Sequence, residues 1–204
     1  MSDADDRNTS VDRKDPDRRD LLIAGTAIAA TGLALPDEAE AKKEKPPEKM
    51  PTQAGDHIEL VKGEQKGKRL KADMLEVNGK PIEAFPYDPQ NEVLRRKYRL
   101  NRLLVVKLNP DEMNDDTRAR TDDSGILVFS AICTHRGCTI KSWLKDEREL
   151  RCHCHLSRFA ALAEGRVLNG PAKRQLPMVP VKVDEEGFVV ATEGFTSKPG
   201  AAKK

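Results

Sequence analysis

Apolar positions in this chain gather in short runs that are separated by turn residues. The runs within Arg102–Leu108 and Gly125–Ile132 contain few polar residues and predict strands. Weaker strand and hairpin signals lie at Ile58–Val61, Ser142–Leu144, Glu149–Arg151, Met178–Val183 and Phe188–Ala191. Short strands with frequent turns and no internal repeat predict an all-β, antiparallel domain.

Two segments between these runs predict something other than a strand. Pro81–Pro89 contains three prolines and predicts an ordered, extended loop. Asn109 followed by Pro110 predicts the start of a short inserted helix, with Asn109 as the cap, ending by about Thr121.

The first 41 residues have the pattern of a targeting signal rather than of a folded element. Arg18 and Arg19 stand before an apolar run, Leu21–Leu35, which is shorter than the ~20 residues that span a bilayer. A small-x-small sequence follows at Ala39–Ala41. The segment resembles a twin-arginine export signal, with Leu21 in place of the usual phenylalanine, and predicts a periplasmic protein. An uncleaved membrane anchor and a disordered tail with an amphipathic helix are the alternatives.

The pattern divides the chain into four parts. We expect a signal segment at 1–41, a flexible linker at 42–55, the folded domain at 56–196 and a C-terminal tail at 197–204.

Composition restricts the size of the core and the kind of partner. The chain has 204 residues, of which 37% are apolar and only 4% aromatic, so a staple or a metal is expected to support the core. The net charge is +2, and no basic block has aromatic residues interleaved, which argues against nucleic-acid binding. Residues 1–41 carry a net charge of −5, so their removal would leave +7 on a protein suited to an acidic redox partner.

All four cysteines and three of the four histidines fall between residues 133 and 155. They form two boxes, Cys133–Cys138 and Cys152–Ser157. A Cys₂His₂ set could bind zinc, but structural zinc sites usually take both thiols from one knuckle and both imidazoles from another. Here each box supplies one cysteine and one histidine and has a second cysteine left over, so the residues alone predict a metal site and leave a disulfide open.

The boxes C-T-H-x-G-C and C-x-C-H-x-S resemble those of Rieske iron–sulfur proteins. The resemblance is specific over about 130–175 and implies a β-sandwich in which two loops form a small subdomain that binds one [2Fe-2S] cluster. It implies that Cys133 and Cys152 hold the buried iron, and that His135 and His155 hold the exposed one. Neutral imidazoles remove negative charge, so such clusters have potentials of roughly −150 to +300 mV.

The resemblance also implies roles around the cluster. Cys138 and Cys154 match the positions of an inter-loop disulfide, which fits an oxidising compartment. The loop around Pro171 would shield the cluster, and Gly137 would adjoin it.

Two further positions bear on the reduction potential. In the high-potential members that this chain resembles, the hydroxyl at the position of Ser157 reaches a bridging sulfide. Those members commonly have a tyrosine that donates to a ligand sulfur where this chain has Phe159. We therefore expect a potential that is positive but lower than that of the tyrosine-bearing proteins.

Three departures from the quinol-oxidising pattern concern the partner. Arg136 stands where those members usually have leucine, and His153 and Leu156 replace the usual proline and glycine. The first hypothesis is an exported one-electron carrier or subunit between a dehydrogenase or quinol site and a cytochrome. The alternative is the iron–sulfur subunit of a membrane quinol–cytochrome c reductase. A structural zinc domain is a remote third, and a ring-oxygenase component lacks the additional histidines that its mononuclear iron needs.

Overall fold

The computed structural model describes residues 45–202, so the predicted signal segment lies outside the described residues. Over these residues the chain forms short strands, β1 (His57–Leu60), β2 (Ile82–Asp88), β3 (Val93–Leu94), β4 (Leu103–Lys107), β5 (Ile126–Ser130), β6 (Ser142–Leu144), β7 (Glu149–Arg151), β8 (Arg158–Ala160), β9 (Arg166–Asn169), β10 (Met178–Val179), β11 (Val181–Val183) and β12 (Val189–Ala191). The helical segments are α1 (Asp115–Arg118) and single 3₁₀ turns at Pro47–Lys49, Ala72–Met74, Arg99–Asn101, Pro110–Glu112 and Ala161–Ala163. The predicted all-β, antiparallel class is confirmed.

The larger of two sheets is nearly closed. Its strands follow the order β10-β5-β4-β2-β1-β12-β11, and β3 pairs with β2. β10 pairs with β5 at one end of this order, and β11 pairs with β12 at the other. Only Pro180 separates β10 from β11, so the two edges of the sheet are the two halves of one chain segment.

The smaller sheet contains β6, β7, β8 and β9 in sequence order. The hairpin predicted at Ser142–Leu144 and Glu149–Arg151 is confirmed, and in its register Ser142 pairs with Arg151 and Leu144 pairs with Glu149. β8 then pairs with β7 and β9, with an irregularity between Arg158 and Phe159. This meander forms the body of the subdomain that carries the cysteine and histidine boxes.

β4 is buried on both faces, which explains its unbroken apolar run. Leu103 and Val105 point into the core inside the large sheet. Leu104 and Val106 point the other way, into a second core that also contains Leu150 of the small sheet. β5 alternates in the same manner, so one pair of strands supports both cores.

Two local predictions differ from the structure. Most of Pro81–Pro89 is strand β2 rather than a loop, and Pro86 contributes only its carbonyl oxygen there, which accepts from the Arg95 N–H at 2.9 Å. The predicted helix is divided into a 3₁₀ turn and α1, because two caps compete. The Asn109 side chain accepts from the Asp111 N–H at 3.1 Å, and the Asn114 side chain accepts from the Thr117 N–H at 2.9 Å.

Residues on either side of the predicted domain also pack against it. Thr52, in the predicted linker, is buried, and its N–H and hydroxyl both donate to Asn101 Oδ1. In the predicted tail, Pro199 and Gly200 are buried, and the Arg174 guanidinium donates to the Gly200 carbonyl oxygen at 2.7 Å. Both segments therefore belong to the folded unit over residues 47–55 and 197–200.

A buried ion pair network fastens the N-terminal segment. Arg95 is 4% exposed; its Nε donates to both carboxylate oxygens of Asp56, at 3.0 and 2.9 Å, and its Nη2 donates to Asp88 at 2.8 Å. Its Nη1 donates to the Pro47 carbonyl oxygen at 2.8 Å.

Among the described residues, no helix is both long and apolar enough to cross a bilayer.

Candidate metal centre

The two boxes form loops of the same design. The first, Cys133–Cys138, follows β5, and the Cys133 N–H donates to the carbonyl oxygen of Cys138 at 2.8 Å. The second, Cys152–Ser157, joins β7 to β8, and the Cys152 N–H donates to the carbonyl oxygen of Ser157 at 2.9 Å. The fifth residue of each loop has a positive φ, 75° at Gly137 and 59° at Leu156. Each loop therefore turns sharply after presenting its cysteine and histidine.

A disulfide between Cys138 and Cys154 joins the two loops. Their Cα atoms are 6.7 Å apart, and both sulfur atoms lie within 4.8 Å of the Cys152 sulfur. Because Cys138 and Cys154 are bonded to each other, this crowding shows that the disulfide packs on Cys152, and it does not make the three sulfurs a ligand set. The pairing implied by the resemblance is present in the structure.

The other two cysteines are free thiols at the base of the loops. Cys133 and Cys152 are each 1% exposed and belong to the core between the two sheets. Burial, with a smaller effect of the neighbouring Cys152, raises the pKa of the Cys133 thiol to about 11. Such a thiol stays protonated at neutral pH unless a cation replaces its proton, which is what metal binding does.

The first of the two loops also carries His135, and the second carries His155. The rings of His135 and His155 are 4.6 Å apart between centroids and nearly perpendicular. His135 Nδ1 is buried and has no hydrogen-bond partner, although buried nitrogens are normally paired. Burial, together with the charges of His155 and Arg136, lowers the pKa of the His135 imidazole and favours the neutral form that binds metals. A buried, unpaired imidazole nitrogen fits a metal ligand.

A third segment, residues 170–174, holds both loops in place. The Ala172 N–H donates to the Ser157 hydroxyl at 3.2 Å, and the Thr134 hydroxyl donates to the Arg174 carbonyl oxygen at 2.7 Å. Gly170 has a φ of 88°, and a Cβ on it would lie 2.5 Å from Cα of Ser157, so no side chain fits there. Pro171 is exposed at the outer surface of this segment.

Two buried residues that follow the cysteines of the second box, Ser157 and Phe159, differ in their ability to donate a hydrogen bond. Ser157 is 1% exposed, and since its oxygen accepts from Ala172, its hydroxyl proton is free to donate. Phe159 is fully buried in the same core as the two thiols and offers no donor. The contact of Thr134 was not predicted, although a hydroxyl residue directly after the first cysteine was a signal for it.

The donor set and its surroundings agree with what known proteins show. Residues 89–180 match the family model of the Rieske [2Fe-2S] domain. The cytochrome bc1 complex Rieske iron-sulfur subunit of Streptomyces lividans is 32% identical over 121 residues, 59% of this chain and 68% of that protein. This chain belongs to the Rieske iron–sulfur family. It is therefore an electron-transfer protein with a [2Fe-2S] cluster, and the zinc alternative is set aside.

Other similar proteins have names that do not mention the cytochrome bc1 complex. A Rieske subunit attributed to a respiratory nitrate reductase of Haloferax mediterranei is 29% identical over 145 residues, 71% of this chain and 61% of that protein. The plasma membrane Rieske protein of Synechocystis PCC 6803 is 28% identical over 53% of this chain and 84% of that structure, with a TM-score of 0.34. In bc1 Rieske subunits of Streptomyces coelicolor and Corynebacterium species, the match covers a third or less of the relative's length.

Proposed function

We propose that Cys133 and Cys152 hold one iron of the cluster, and that His135 and His155 hold the other. The two buried free thiols, the two adjacent imidazoles of the same loops and the unpaired Nδ1 of His135 support this assignment. When bound, the cluster supplies a Fe³⁺/Fe²⁺ couple that takes up one electron at a time. The Cys133 and Cys152 thiols are buried away from water, whereas His155 is exposed at the surface, where an electron can leave or enter.

Within this family, we favour an exported carrier or subunit of a periplasmic respiratory or dehydrogenase chain, with a cytochrome or dehydrogenase subunit as partner. The single observation that carries this proposal is the exposed His155 beside a disulfide-locked loop pair. The disulfide suits an oxidising compartment, and the pattern of residues 1–41 suits export.

The second candidate is the iron–sulfur subunit of a membrane quinol–cytochrome c reductase. It is favoured by the names of several relatives, which are subunits of cytochrome bc1 complexes. In that role an exposed imidazole would accept the proton of the quinol. Arg136 opposes this role, because a fully charged guanidinium beside the site has to lose water when a lipophilic ring approaches.

Spectroscopy of purified variants tests the ligand assignment. The native protein is expected to be coloured, to give a rhombic signal when reduced, and to contain about two irons per chain. Cys133→Ser and His135→Ala should abolish the signal, while His153→Ala, a change in an exposed histidine of the same loop pair, should retain it. A cluster that survives loss of Cys133 would contradict the assignment.

Fractionation and donor specificity separate the two candidate roles. The carrier should wash off membranes and be reduced faster by a soluble dehydrogenase than by a short-chain quinol. Retention on membranes together with rapid reduction by the quinol would favour the reductase subunit instead.

A further inference from the structure

Leu156 occupies an unusual position at the tip of the second loop. Its side chain is 59% exposed and it follows His155 directly, so it gains little from burial within this chain. Its φ of 59° is a conformation that glycine adopts freely and that a bulky residue adopts only under strain. Gly137 stands at the same position of the first loop. The fold therefore does not need a leucine here, and strain at an exposed site points to a role toward another molecule.

The side of the loop pair that carries His135 is basic. A groove of about 540 Å³ beside His135 is lined by Arg136, Lys173 and Arg174. Arg136 and Lys173 are exposed, whereas Arg174 is engaged with the carbonyl oxygens of the C-terminal segment. The Arg99 guanidinium also reaches the first loop, 3.9 Å from where a Cβ of Gly137 would lie.

Within residues 45–202, no carboxylate lines this groove. Between residues 130 and 175 the chain has nine basic and four acidic residues. Glu149 pairs with Arg158, and Glu164 pairs with Arg120. The remaining two, at 146 and 147, lie in the turn between β6 and β7, at the end of the hairpin away from the loops. Within residues 130–175, no carboxylate is therefore left to pair with Arg136 or Lys173.

We propose that this face docks an acidic protein, into whose surface Leu156 inserts while Arg136 and Lys173 pair with carboxylates around the contact. The inference rests on the proposed function and names the partner of the same site. An exposed apolar anchor with charges around it is the arrangement by which proteins combine affinity with rapid, oriented encounter. A neutral quinol ring would gain nothing from the basic rim.

Binding of the oxidised protein, with no electron transferred, tests the charge contribution. The probes are an acidic cupredoxin of the plastocyanin type and, as its opposite, a basic mitochondrial cytochrome c. Raising the ionic strength from about 0.01 M to about 0.15 M shortens the screening length from about 30 Å to about 8 Å. The affinity for the cupredoxin should then fall about tenfold, and Arg136→Glu should lower it by a similar factor at low salt. The same variant should raise the affinity for cytochrome c.

Replacement of the leucine tests the apolar contribution. Leu156→Gly should weaken cupredoxin binding about tenfold without altering its salt dependence, while the thermal midpoint stays equal or rises because the strain is relieved. Val77→Ser is the matched control. Val77 is 55% exposed, but it bridges to Lys107 at the end of β4 opposite the cluster, so this change should leave binding unaltered.

The outcomes separate this inference from the proposed function. If the protein contains no [2Fe-2S] signal, the proposed function fails. If the signal is present but cupredoxin binding ignores Arg136→Glu and Leu156→Gly, the docking face is wrong. Binding of a short-chain quinol that depends on Leu156 while cupredoxin binding does not would also overturn it, in favour of a quinol site.

Discussion

The inside of the large sheet and the two-loop subdomain are stabilised in different ways. Within the large sheet, apolar side chains from seven strands and two neighbouring loops form a continuous core, and the buried Arg95 network fastens the N-terminal segment to it. The subdomain has strands of three or four residues. Its loops are fixed by the disulfide, by the bond from Ala172 to Ser157 and by the bond from Thr134 to Arg174. Burial of apolar side chains therefore stabilises the large sheet, whereas a few individual bonds fix the loops of the subdomain.

The largest effect is expected at the Arg95 network, where buried charges instead of apolar contacts fasten the N-terminal segment to the large sheet. Arg95→Met leaves the Asp56 and Asp88 carboxylates buried without a counter-ion, and should lower the free energy of unfolding by about 3–5 kcal/mol. Denaturant unfolding measures this loss. Lys97→Met is the control: that lysine is 65% exposed in its pair with Glu48, so a change of no more than about 1 kcal/mol is expected. Equal losses in both variants would contradict the importance of burial.

Removal of the disulfide acts on the subdomain. The double substitution Cys138→Ser, Cys154→Ser opens a loop with a sequence separation of 16 residues and should cost about 3 kcal/mol. Release of iron to a chelator should accelerate before the far strands unfold, because the bond joins the two loops and not the two sheets. Simultaneous loss of the cluster and of the far-ultraviolet circular dichroism would show that both regions unfold as one unit.

Substitution of two glycines with nearly the same φ separates the cost of backbone strain from the cost of steric crowding. Gly170 has a φ of 88° and contacts Ser157, whereas Gly187 has a φ of 85° and open space around its Cα. Gly187→Ala should cost about 1 kcal/mol, and Gly170→Ala about 1–2 kcal/mol more, since the added Cβ forces residues 170–174 away from the loop. Chemical denaturation of both variants measures the difference. Similar losses would mean that this segment shifts without penalty.

The smallest effects are expected at Ser157 and Phe159, the two positions that we propose to influence the reduction potential. Ser157→Ala removes a donor and should lower the midpoint potential, while Phe159→Tyr adds one and should raise it, each by about 20–60 mV for a hydrogen bond of typical strength. Redox titration of the two variants measures both shifts. A Phe159→Tyr protein with an unchanged potential would contradict the expectation that Phe159 keeps the potential below that of the tyrosine-bearing proteins.

Features encoded locally were predictable from the sequence. The apolar runs placed β4 and β5, and the strand signals that end before Cys133 and Cys152 placed both boxes at strand ends. Features that depend on distant partners were not. Most of Pro81–Pro89 becomes β2 because β1 and β4 pair with it from both sides. Residues 47–55 pack because Arg95 and Asn101, about fifty residues later, supply their partners. The approach of Gly170 to Ser157 likewise joins two loops.

The division of one segment between both edges of the large sheet has a consequence for how the chain folds. Residues 178–191, which form β10, β11 and β12, come late in the sequence, and until they arrive β5 and β1 each present an unpaired edge. Open edges are templates for pairing with other chains, so a polypeptide truncated before Met178 should aggregate. Pairing of His57 with Val190 spans nearly the whole domain, and such distant contacts fold slowly. Folding of this protein is therefore expected to finish only after the entire domain has been synthesised.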